Sequence, residues 1–121
     1  MNSNMRATVI AVAFFIGLGA GAAHVAAQPA EPVIKITAKK FDYTPNQVTL
    51  KKGVPVVLEF TTADVLMGFN VPDLGVRADI IPGKLVRLRI VPDKLGTFTF
   101  ICDVFCGSGH EDMTGTITVV E

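Results

Sequence analysis

Between positions 102 and 113 the chain places two thiols, an imidazole and a thioether on one short segment, spaced Cys-x3-Cys-x3-His-x2-Met. All four can bind a soft or borderline metal. Cys102 and Cys106 are the only cysteines in the sequence. A loop that folds back on itself turns Cys102, Cys106, His110 and Met113 toward one point, with Gly107 and Gly109 relieving the backbone crowding. A helix would also align them on one face, but the glycines and the flanking β-type residues favour the loop. The same two cysteines also suit a disulfide in an exported protein.

The segments around this loop read as strands. Residues 33–38, 47–50, 55–61, 84–90, 96–101 and 115–120 are short, rich in β-branched or aromatic residues and separated by turn-formers. Val56, Leu58 and Phe60 alternate with Val57, Glu59 and Thr61, and Val86, Leu88 and Ile90 with Arg87 and Arg89, the period of half-buried strands. No long amphipathic helix is visible. The pattern predicts an antiparallel β-sandwich of seven or eight strands. Phe98 and Phe100 share a face and lead into Cys102, and 115–120 anchors the far end of the loop.

Arg6, an apolar run over 7–23 and small residues through Ala27 describe a secretory signal peptide, 1–27, cleaved after Ala27. Retained, the segment is a single membrane anchor, since about 20 apolar residues span a bilayer. On either reading the domain, 28–121, lies in the periplasm or otherwise outside the cytoplasm, and a membrane is a partner only if the segment stays. His24 falls in this segment, which leaves His110 as the domain's one imidazole. The whole chain carries 11 Lys and Arg against 11 Asp and Glu; without Arg6 the domain is left at minus one. No basic patch marks a nucleic-acid partner. Nor does any nucleophile–base pair or open metal position mark an enzyme acting alone.

The segment 102–113 resembles, position for position, the ligand loop of the CuA domain in subunit II of cytochrome c oxidase-type enzymes and in nitrous oxide reductase, a branch of the cupredoxins. Upstream, Phe41-Asp-Tyr-Thr-Pro45, Gly53, Asp64-Val-Leu66, Phe69-Asn-Val-Pro72, Asp79 and Pro82-Gly83 resemble family landmarks in family order, so the likeness covers most of 33–120. It implies an all-β Greek-key sandwich, a site for one or two copper ions and a role in electron transfer. It also implies that Cys102 and Cys106 bridge copper while His110 and Met113 each serve one ion. Where the family carries a second histidine ligand this chain has Met67, and where a glutamate coordinates through its carbonyl it has Val104. Any residue offers a carbonyl, but Met67 changes a ligand.

An added thioether favours Cu(I). Three sites therefore stay open: a modified dinuclear centre using Met67, a mononuclear site of Cys106, His110, Met113 and either Met67 or Cys102, or a Cu(I) carrier. Alternatively Met67 is packing in a site without copper, and the domain is a module closed by a Cys102–Cys106 disulfide. The expected partners are a redox protein or a copper donor or acceptor, with an oxidase complex as the setting in which the domain would join catalysis. Phe105 reads either as part of an apolar docking patch or as a core phenylalanine.

Overall fold

The described residues form nine strands: β1 (Val33–Lys39), β2 (Asp42–Thr44), β3 (Gln47–Lys51), β4 (Val56–Thr62), β5 (Met67–Val71), β6 (Val76–Ile80), β7 (Val86–Ile90), β8 (Gly96–Ile101) and β9 (Thr114–Val120). The structure, a computed structural model, describes residues 30–121. The signal-peptide reading of 1–27, and His24 with it, lies outside the described residues. Among the described residues no helix is long and apolar enough to cross a membrane.

The strands form a four-stranded sheet, β2-β1-β4-β7, and a five-stranded sheet, β3-β9-β8-β5-β6. The expected sandwich is present, with two additions. Among the described residues the strands number nine, and β1–β4 and β3–β9 pair parallel while the other pairs are antiparallel. Leu58 and Phe60 of β4 point inward opposite Leu88 and Val86, while Glu59 faces Arg87 on the outer face and accepts from its Nε at 3.1 Å. This is the alternation read from the sequence.

Between the sheets, Phe60, Phe69 and Phe100 are completely buried. Phe69 packs between Phe60 and Phe100 at centroid distances of 4.7 and 4.8 Å, and Tyr43 meets Phe100 edge-on at 5.0 Å. Each such ring contributes about 1.5–3 kcal/mol on leaving water. This aromatic block underlies β5 and β8, the two strands that carry the chain to the metal-donor cluster.

Candidate metal centre

The loop begins where a ladder ends. β8 and β9 pair as far as Ile101↔Thr114, and one more main-chain bond, Cys102 N–H to the Met113 carbonyl at 3.2 Å, closes the base. The ten residues between Cys102 and Met113 bulge out as a loop, not a helix, with one short 3-10 turn at His110–Asp112. Gly107 takes φ 141°, in the left-handed region open to glycine. The Phe41 ring packs beneath Gly107 and Gly109, and a Cβ on Gly109 would stand 2.5 Å from it. The glycines thus admit an aromatic strut under the loop as well as bending it.

This geometry gathers the donors. Cys106 Sγ lies 3.8 Å from Cys102 Sγ, 3.8 Å from His110 Nδ1 and 4.0 Å from Met113 Sδ. The Cys102, Cys106 and His110 donor atoms all fall within 4.8 Å of one another. Cys102 Sγ donates to the Val104 carbonyl at 3.2 Å, so the carbonyl singled out in the sequence also faces the cluster. Both cysteines are free thiols, not the disulfide that spacing alone left open. Two sulfurs on one tetrahedral metal with bonds of about 2.3 Å stand about 3.8 Å apart, so the spacing fits a shared ion. Thiolate, thioether and imidazole together suit copper.

Met67 comes from a different element than the loop donors. It is the first residue of β5 rather than part of a connection, and it is fully buried on the core face it shares with Phe69. Neither thiol hydrogen-bonds to its thioether among the described residues. Its neighbour does reach the cluster: the Gly68 amide donates to Cys102 Sγ at 3.5 Å, and the Gly68 carbonyl accepts from the Tyr43 hydroxyl at 2.6 Å. Phe105 is 77% exposed, which removes the core reading, and its ring lies 5.7 Å from that of half-buried His110.

Sequence reasoning gave no role to Gly68, Tyr43, Asp103 or Arg77. Of these, Tyr43 stood within a quoted landmark and Asp103 within the loop 102–113, while Gly68 and Arg77 reach that loop through contacts between segments far apart in the chain.

Burial, and then the neighbouring Cys102 thiol, push the Cys106 thiol up from 9.0 to about 11. Burial and the same cysteines also raise Tyr43 well above the ordinary tyrosine range. A metal arriving at neutral pH must therefore displace the Cys106 proton. Copper affinity should rise with pH, this thiol contributing about tenfold per unit below its pKa, as chelator competition at several pH values will read. Metal-free protein should do the reverse. A thiol whose folded pKa is raised supports the fold fully below 9.0 and loses that support as pH climbs toward about 11. Denaturant titrations across that window measure the loss.

A two-sheet sandwich with a cysteine–histidine–methionine loop at one end defines a class. The family model described as a cupredoxin-like domain matches residues 7–119, and the chain belongs to that family. Within it, the chain is similar to cytochrome c oxidase subunit 2 of Thermus thermophilus, 32% identical over 93 residues that cover 77% of this chain and 69% of the subunit. Against a second, longer subunit 2 sequence from the same species, a match of 93 residues covers 55% of the subunit's length. Among solved structures, the periplasmic domain of subunit II of cytochrome oxidase from Bradyrhizobium japonicum superposes with a TM-score of 0.68 at 27% identity, covering 78% of this chain and 87% of that one. The metal-binding domain of the Streptococcus pneumoniae D39 Cu(I)-exporting P-type ATPase, solved with Cu(I), gives a TM-score of 0.60 at 27% identity over 78% and 93% of the two chains.

Proposed function

We propose that this chain is an exported copper-binding cupredoxin whose CuA-like site works in electron transfer. The observation that carries the reading is the convergence of Cys102, Cys106 and His110 donor atoms within 4.8 Å, with Met113 Sδ and the Val104 carbonyl beside them. Copper held there supplies a one-electron couple. Cys102 and Cys106 provide the charge that offsets the ion, and Met113 is the weak ligand that tunes potential. His110 leads outward to exposed Phe105, so those two rings form the face offered to a redox partner. The loop is fixed at its base by the β8–β9 ladder and underneath by Phe41, which limits ligand movement between oxidation states. In this role the domain is a carrier or electron-entry module, not a catalyst, and the leader at 1–27 delivers it to the periplasm.

A second reading, a Cu(I)-holding or delivery protein, is favoured by Met67 in place of the family's histidine and by the likeness to a domain solved with Cu(I). The copper-to-protein ratio and absorption spectrum of purified protein separate the two. A coloured oxidised state that cycles reversibly supports electron transfer, stable colourless Cu(I) supports holding, and protein that takes up no copper refutes both.

A further inference from the structure

On the outer face of the five-stranded sheet, Arg77 of β6 closes a fork on Asp103, the residue after the first cysteine. Its Nε donates to Oδ2 at 2.7 Å and its Nη2 to Oδ1 at 2.9 Å, while Nη2 also donates to Asp79 at 2.8 Å. A two-pronged pair of this kind fixes orientation as well as distance. The Asp103 carboxylate rests on Gly68, where any Cβ would overlap it. Arg77 and Asp79 stand opposite Asn70 and Gly68 in the β5–β6 register, so the charged cluster lies over the strand whose Gly68 amide donates to Cys102 Sγ.

The main-chain ladder is thinnest here. β5 and β8 share the single register pair Asn70↔Ile101, and none beyond it holds Cys102 against β5 among the described residues. We propose that Arg77 is a positioning residue for the copper site: its fork on Asp103 clamps the start of the ligand loop onto β5, keeping the Gly68 N–H on Cys102 Sγ. The proposal rests on the copper reading above. Partners behind a metal ligand set its affinity, and hydrogen bonds to a ligating sulfur set potential. Charge alone predicts the opposite sign, because removing a cation near a bound cation relieves repulsion.

The test compares Arg77→Met and Asp103→Asn with Arg89→Met, a change on β7 of the other sheet that breaks the surface pair of Arg89 with Glu31. Cu(I) is offered in competition with a chromophoric chelator, the thiolate-to-copper absorption of the oxidised form is recorded, and Gly68 amide hydrogen exchange is followed in metal-free protein. Arg77→Met should lose about ten- to a hundredfold in Cu(I) affinity, shift the absorption band and speed Gly68 exchange several-fold. Asp103→Asn should lose less, since one acceptor oxygen remains, and Arg89→Met should match the unsubstituted chain. Equal or tighter Cu(I) binding by Arg77→Met overturns the positioning role, and unchanged Gly68 exchange overturns the clamp. If the unsubstituted chain takes up no copper, the copper reading fails and Gly68 exchange alone decides the clamp.

Discussion

Replacing Cys102 and Cys106 together with serine is expected to abolish copper retention at micromolar copper while leaving the sandwich folded. A serine hydroxyl stays neutral where a thiolate supplies both a strong bond to a soft ion and a compensating charge. It can still accept from the Gly68 amide and donate to the Val104 carbonyl, the bonds that Cys102 makes now. The single variants should differ. Cys106 Sγ is the hub, at 3.8 Å from the Cys102 and His110 donor atoms and 4.0 Å from that of Met113, whereas Cys102 Sγ makes its one donor-to-donor contact of that closeness with Cys106. Cys106→Ser should therefore be the more damaging. Equilibrium dialysis with metal analysis reads all three variants, and circular dichroism checks the fold. Full copper retention in the double variant would remove these thiols from the site.

The sequence showed the strands that carry a clean period of two, β4 and β7, and those rich in β-branched residues or phenylalanine, β1, β3, β8 and β9. It did not show β5 or β6. In β5 four of five residues are buried, because Gly68 on the outward side is covered by Asp103 of the ligand loop, so the alternation that marks a half-exposed strand is lost. In β6 the partly buried positions Val76 and Ala78 are interrupted by Arg77 and Asp79, whose charges look like a loop until Arg77 is seen to pair with Asp103 as well as with Asp79. At three residues, β2 is too short to carry a pattern. The parallel partnering of β1 with β4 and of β3 with β9 depends on contacts across long stretches of chain, which local periodicity does not encode.

The ligand loop was legible because its donors lie close together in sequence. Cys102, Cys106, His110 and Met113 converge through one loop of twelve residues, and glycine and spacing announce such a loop locally. What holds the loop in place was not legible: Phe41 under the glycines, Arg77 on Asp103 and the Gly68 amide on Cys102 all come from segments at least 25 residues away. A site of this kind declares its chemistry in one motif and distributes its rigidity through the fold.

Met67→His is the substitution with the widest consequences, because it returns the family's ligand type to a position now filled by a buried thioether. In metal-free protein it should destabilise. Met67 is fully buried beside Phe69 and opposite Ile80, and an imidazole there without a hydrogen-bond partner costs about 1–3 kcal/mol. In a domain of this size each kcal/mol lowers the melting temperature by about 4–8 °C. Copper should then reverse the loss if position 67 points its donor at the site, since binding to the folded state alone stabilises it by mass action. The variant should gain more from copper than the unsubstituted chain does, hold two ions per chain and show the delocalised mixed-valence paramagnetic resonance signal that the CuA resemblance implies. The unsubstituted chain, with a thioether in place of one imidazole, should favour the reduced ion and depart from that signal. Thermal melts with and without copper, metal content and paramagnetic resonance on the same samples decide the matter. An ordinary two-copper signal in the unsubstituted chain that survives Met67→Ala would return Met67 to the core as packing. A Met67→His variant that copper fails to restabilise would show that position 67 does not reach the metal.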